Sequence, residues 1–141
     1  MKRKASAVWQ GDLKTGKGSI STESGTLKET QYSFSTRFEN GVGTNPEELI
    51  AAAHAGCFSM AFSAELGKAG FTPTSIHATA TVTLDKTDAG WTVTESHLDM
   101  TAKIPGIDAA RFTAIANGAK AGCPISRLFN AKVTLDAKLE S

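Results

Sequence analysis

The segment that most restricts the fold is NPEELIAAAHAGCFSMAFSAELGKAG, residues 45–70. Asn45 can satisfy the free backbone N–H groups of a helix start, and Pro46 suits the first helical position. Glu47 and Glu48 lie where the helix dipole favours negative charge. Asn45 and Glu48 have capping-box spacing, although Ser or Thr is the usual first member. Gly67 or Gly70 can end the element. The pattern predicts one long apolar helix against which the rest of the chain packs. His54, Ser59 and Ser63 interrupt its apolar run between Leu49 and Leu66, so it reads as a buried helix rather than a membrane span.

Around this helix the sequence alternates between strand and helix signals. Residues 4–37 are rich in Gly, Thr and Ser and read as three strands, SAVWQG, KGSISTES and TLKETQYSFSTRF, with turns at Asp12–Gly16 and Gly25. The loop ENGVGT leads into the helix. Beyond it, Ile76, Ala78, Ala80, Val82 and Leu84 alternate with His77, Thr79, Thr81 and Thr83, the period of a half-buried strand. Asp88 and Gly90 flank a turn, and WTVTESHLDMTAKI returns. Its apolar parity changes between Val93 and Leu98, which predicts a bulge or a switch of face. Asp108 can cap a second helix to about Lys120 with an apolar stripe of Phe112, Ile115, Ala116 and Ala119. GCPISRLF reads as a turn into a short helix, and AKVTLDAKLES as a last strand. The expectation is one α+β domain with antiparallel sheets over residues 1–141: a β-region over 1–40, then helices and strands carrying both cysteines over 45–141.

A chain of 141 residues, 40% hydrophobic and 21% charged, has the composition of a soluble globular domain. A net charge of +1 gives no reason to expect a nucleic acid or a membrane surface as partner. MKRK resembles the start of a secretory signal, but ASAVWQGDLK lacks the apolar run that would complete it. The expected location is the cytoplasm. That reducing compartment favours free, catalytic or transiently paired Cys57 and Cys123 over a permanent bridge.

Each cysteine has two readings. Cys57 lies too deep in its helix for the dipole at the helix start to activate it. His54, three residues before it, shares its face and could activate the thiol. The alanines and Gly56 around the pair equally suit a packed core. Cys123 precedes Pro124, near the start of a short helix, where backbone N–H groups favour a thiolate; a tight turn explains it as well. Together the two thiols, alone in the chain, fit an attacking and a resolving cysteine. The spacings of His54, His77 and His97 do not suggest zinc, and no Gly-rich phosphate loop precedes a helix. A peroxide-reducing thiol also needs a cation. Arg37, at the expected end of the third strand, is the leading candidate, with Arg111 and Arg127 behind it; Glu47 or Glu48 could orient its fork.

GTNPEELIAAAHAGCFSMAF, GFTPTSI, TLDKTDAGW, IPGID and KAGCPIS together resemble the OsmC/Ohr family of thiol-dependent peroxidases, closest to its osmotically inducible branch. The likeness runs over nearly the whole chain. It implies an OsmC-like fold in an intertwined homodimer whose active sites lie at the interface. It further implies that organic hydroperoxides are reduced to alcohols, with Cys57 as peroxidatic thiol and Cys123 as resolving thiol. Arg37 matches the active-site arginine and Glu47 the glutamate that holds it. No cofactor or metal is implied, and the expected reductant is a dithiol, a lipoylated protein rather than thioredoxin. Glu47 and Cys57 are ten residues apart, about 15 Å along a straight helix. They can share a site only if the helix breaks or a second chain supplies one of them. A redox sensor using the same disulfide, or a non-enzymatic domain binding small apolar ligands, remains open on the residues alone.

Overall fold

A computed structural model describes residues 1–141. Its elements run β1 (Ala5–Gln10), β2 (Lys17–Thr22), β3 (Thr30–Tyr32), α1 (Phe34–Phe38), α2 (Pro46–Lys68), β4 (Ser75–Thr87), β5 (Gly90–Lys103), α3 (Ala109–Gly122), α4 (Pro124–Leu128) and β6 (Lys132–Glu140). They form two compact units, Met1–Leu49 and Ile50–Ser141, with the boundary inside α2.

The first unit is built on an antiparallel β1-β2-β3 sheet. The turn after β1 is closed by Asp12, whose Oδ1 accepts from the backbone N–H of Lys14 and Thr15 at 2.9 Å. The third expected strand is cut short. Ser33 Oγ accepts from Thr36 N, and Thr36 Oγ1 accepts from Ser33 N at 2.8 Å, so this capping box turns the chain into α1. Arg37 therefore sits on a short helix and not at a strand end. The loop that follows is pinned at Gly43, where φ is +144° and a Cβ would lie 2.5 Å from the Gln31 carbonyl. Thr44 N donates to that same carbonyl at 2.9 Å. Only Thr36 and Thr44 are buried in this unit.

α2 begins as expected, with Asn45 Oδ1 accepting from Glu48 N at 2.7 Å. It ends at Gly70, φ +88°: Phe71 N donates to Leu66 O at 2.9 Å and Gly70 N to Gly67 O at 3.1 Å, both bonds of a Schellman cap. By length and composition α2 is apolar enough to cross a membrane. It was expected to be buried, yet only a stripe at every fourth residue is: His54, Phe58, Phe62 and Leu66. Met60, off that stripe, is 77% exposed.

In the second unit β4 and β5 form a long antiparallel hairpin. Its register shifts where Thr83 faces Glu95 and Leu84 faces Val93, leaving Thr94 as the bulge that the parity change predicts. Asp108 caps α3 by accepting from Arg111 N at 2.8 Å. β6 departs from the expected antiparallel pairing and lies parallel to β5. α3 and α4 form the crossover that a parallel pair requires. The core joins the α2 stripe to Leu98, Met100, Ala102 and Ile104 and to Phe112, Ala116, Ala119 and Cys123 of the α3 region.

Candidate active site

The two cysteines, 66 residues apart in sequence, meet in the second unit. Cys57 lies midway along α2, three residues beyond His54; Cys123 ends α3 and is the residue from which α4 starts. Their Sγ atoms are in hydrogen-bond contact at 2.9 Å and both thiols are free. A disulfide holds two sulfurs at about 2.05 Å, so only a small approach is needed once an oxidant has taken two electrons from one of them. Cys123 is wholly buried whereas Cys57 is only half-buried, which makes Cys57 the accessible member. Burial pushes the Cys57 thiol above its usual value, and the adjoining Cys123 works in the same direction. The backbone N–H of Ile125 works against them by favouring the thiolate.

His54 does not activate this thiol. Its Nδ1 is bonded to Ser96 Oγ and its Nε2 to Ser126 Oγ, each at 2.7 Å, so both ring nitrogens are occupied elsewhere. Its burial holds its pKa below the usual 6.5.

The first unit brings together Arg37 and Glu47. Arg37 Nη2 donates to Glu47 Oε1 at 2.7 Å, and Nε donates to Oε1 and Oε2 at 3.1 and 3.2 Å. α1 carries the arginine, and the first turn of α2 carries the carboxylate. Asn45 Nδ2 ties the two elements by donating to Thr36 O at 3.0 Å. Glu48 takes no part in the pair and accepts from Thr44 Oγ1 at 2.8 Å, consistent with a helix-start role. Arg111 is engaged by Asp108 at 3.6 Å and lies over Phe71, and Arg127 is an exposed residue in the last turn of α4.

Arg37 also borders a cavity of about 280 Å³ whose walls include Trp9, Tyr32, Phe34 and Phe38. Trp9 and Tyr32 face each other across β2, with ring centroids 5.5 Å apart, because Gly18 between them has no side chain; a Cβ there would lie 2.4 Å from Tyr32 and 2.7 Å from Trp9. Sequence reading missed these walls. Strand alternation across a glycine was the available signal. Phe58 and Phe62, near Cys57 in sequence, are fully buried in the core and so do not line an opening at the thiol. His97, whose sequence spacing suggests no metal ligand, lies beside Asp99 and Asp136 on the outer face of the second sheet.

Residues 38–138 match the OsmC-like protein family. The chain belongs to that family. Peroxiredoxin OsmC of Escherichia coli (strain K12) is 58% identical over 139 residues, covering 99% of this chain and 97% of its own. The Shigella flexneri peroxiredoxin OsmC matches to the same extent. Among solved structures, the organic hydroperoxide resistance protein OhrB of Bacillus subtilis aligns with a TM-score of 0.68 at 21% identity, covering 97% of this chain and 98% of its own. An OsmC-like protein of Vibrio cholerae aligns with a TM-score of 0.77 at 16% identity, covering 97% and 99%. These structures share the OsmC-like fold with this chain.

Proposed function

We propose that this chain reduces organic hydroperoxides to alcohols, with Cys57 as the attacking thiol and Cys123 as the resolving one. The chain is a thiol-dependent peroxidase of the OsmC-like family, a reading supported by its identity with peroxiredoxin OsmC. The observation that carries the residue assignment is the pair of free sulfurs 2.9 Å apart, one accessible and one buried.

The Cys57 thiolate gives an electron pair to the terminal peroxide oxygen. The O–O bond breaks, the alkoxide leaves and takes a proton to become the alcohol, and Cys57 is left as sulfenic acid. Cys123 sulfur then attacks the Cys57 sulfur. The S–O bond breaks, and hydroxide leaves with the thiol proton as water. A dithiol reductant, by our reading a lipoylated protein, exchanges with the disulfide and carries away two electrons as its own disulfide. This cycle suits a reducing compartment such as the cytoplasm.

Arg37 is the cation that opposes the upward push of burial on the Cys57 thiol and binds the peroxide oxygens. Glu47 holds its guanidinium in a fixed fork. α2 runs unbroken from Pro46 to Lys68, so of the two routes by which Glu47 and Cys57 can share a site, a second chain is the one we adopt. A homodimer is also supported by apolar side chains left open in a single chain, with Val8 58% and Met60 77% exposed. In this arrangement the aromatic cavity beside Arg37 receives the organic part of the peroxide.

The test is turnover of cumene hydroperoxide and hydrogen peroxide with a dithiol reductant. Wild type is expected to prefer the organic peroxide. Cys57→Ser loses turnover by more than about 1,000-fold, as loss of a nucleophile does. With the dithiol withheld, Cys123→Ser forms one equivalent of alcohol and stops at the Cys57 sulfenic acid. Full activity in Cys57→Ser would refute the assignment.

A further inference from the structure

The α2 stripe contains three apolar residues and one histidine. Packing alone would be served by another aliphatic side chain at position 54. The histidine instead links three elements: α2 through its own backbone, β5 through Ser96, and α4 through Ser126. Burying an imidazole is costly unless its polar atoms find partners, and here both nitrogens have one.

The α4 end of this link matters most. α4 has five residues, too few to hold a helix without tertiary anchors. No side chain caps its start. Leu128 is exposed, and Ser126 is the buried residue of the element. The bond from Ser126 to His54 is therefore a principal polar anchor of α4, with the edge of Phe129 against the imidazole, centroids 4.9 Å apart, beside it. Cys123 is the residue from which α4 starts, and Arg127 N donates back to its carbonyl at 3.0 Å. Cys123 is held on one side by α3, where its N–H donates to Ala119 O at 2.9 Å, and on the other by α4, so a shift of α4 pulls on it directly.

We infer that His54 is a positioning residue for disulfide formation: by tethering Ser126 it holds Cys123 against Cys57, and it acts on the resolving step rather than on the attack on peroxide. The inference rests on the peroxidase reading above. Cys57 sits on a long helix with its own core stripe, so its reactivity toward peroxide does not need the tether. Condensation does, because Cys123 must approach the Cys57 sulfur opposite the departing oxygen. The atoms balance as sulfenic acid plus thiol giving disulfide plus water.

The two ring nitrogens can be tested separately. Gln at position 54 places a polar group near the Nε2 position and keeps the Ser126 link; Asn places one near Nδ1 and keeps the Ser96 link. Two rates are measured in the same sample: alcohol release in the first turnover, and decay of the Cys57 sulfenic acid followed by chemical trapping. His54→Asn and Ser126→Ala should slow the decay by about tenfold, as expected for a misplaced reacting group. Alcohol release should stay within about twofold to threefold of wild type. His54→Gln and Ser96→Ala should leave the ratio of the two rates near wild type. With excess peroxide, Asn and Ala variants that hold the sulfenic acid longer should accumulate more sulfinic Cys57, read by mass spectrometry.

A purely structural histidine would lower the melting temperature in all four variants and leave the ratio of rates unchanged; that result overturns the inference. Equal slowing by Ser96→Ala and Ser126→Ala at equal loss of stability also overturns it. If wild type forms no sulfenic acid at Cys57, the peroxidase assignment fails instead, and the two failures are told apart by the wild-type control.

Discussion

The two units differ in what they bury. Residues 50–141 enclose a core of phenylalanines, aliphatic side chains and a buried cysteine, whereas residues 1–49 bury two threonines and leave Val8, Leu13 and Val42 open. The chemistry divides the same way. The sulfurs lie in the region with a core, where position is set by packing. The guanidinium lies in the region without one, where position is set by hydrogen bonds: a capping box at Ser33, Asn45 on Thr36, and the Glu47 fork. A core can fix a thiol to a fraction of an ångström, but it penalises charge. A charged group is better kept half in water and aimed by polar contacts.

The largest contrast should be in stability. Phe62 is fully buried, stacked on Phe58 at 6.0 Å and edge-on to Phe112 at 5.9 Å. Phe62→Ala should cost about 3–5 kcal/mol, measured by urea unfolding. Val8→Ala should cost less than about 0.5 kcal/mol in dilute protein, as an exposed substitution does. A loss at Val8 that grows with protein concentration would mean that a second chain covers the first unit.

Next comes the arginine. Arg37→Ala should lower kcat/KM for an organic peroxide about 100-fold, the usual scale for removing a charge-stabilising donor. It should also move the alkylation profile of Cys57 to higher pH, since burial alone pushes that thiol upward. Arg37→Lys should recover only part of the activity, because an ammonium cannot reproduce the fork to Glu47. An unchanged alkylation profile in Arg37→Ala would show that the two regions do not meet at the thiol.

The smallest contrast concerns pH. His54, surrounded by Ser96, Ser126 and Phe129, takes up a proton less readily in the folded chain than its usual 6.5. The unfolded chain therefore binds more protons just below pH 6.5, and stability should fall as pH drops through that value until the folded histidine also titrates. His54→Gln should remove that dependence. Arg37→Ala should leave it intact. A wild-type chain whose midpoint does not move between pH 7 and pH 5.5 would argue against a buried neutral imidazole.

Local signals were legible in the sequence and distant ones were not. Asn45, Asp108 and the Gly70 stop sit within a few residues of the backbone groups they satisfy, so composition and spacing reveal them. The bulge at Thr94 showed itself as a parity change. α1 was lost because Ser and Thr suit both a strand and a cap, and only the reciprocal bonds of Ser33 and Thr36 decide between them. The direction of β6 depends on how a crossover docks, which no short window contains. The partners of His54 are 42 and 72 residues away, so its spacing to Cys57 suggested a chemistry that the bonds to Ser96 and Ser126 contradict. The thiol pair was suspected from cysteine count, while Arg37 and Glu47 needed the family likeness to stand out from ordinary surface charges.

The parallel pairing of β6 with β5 has a consequence for how the chain matures. Antiparallel hairpins such as β4-β5 close quickly through a short turn. β6 has to wait for the chain from Lys103 to Lys132 to fold back over the sheet, a non-local closure of the kind that slows folding. Cys123 rides on that returning segment. A chain synthesised only as far as residue 100 holds a single thiol, so the redox couple cannot exist until the crossover segment has been made and has docked Cys123 against Cys57.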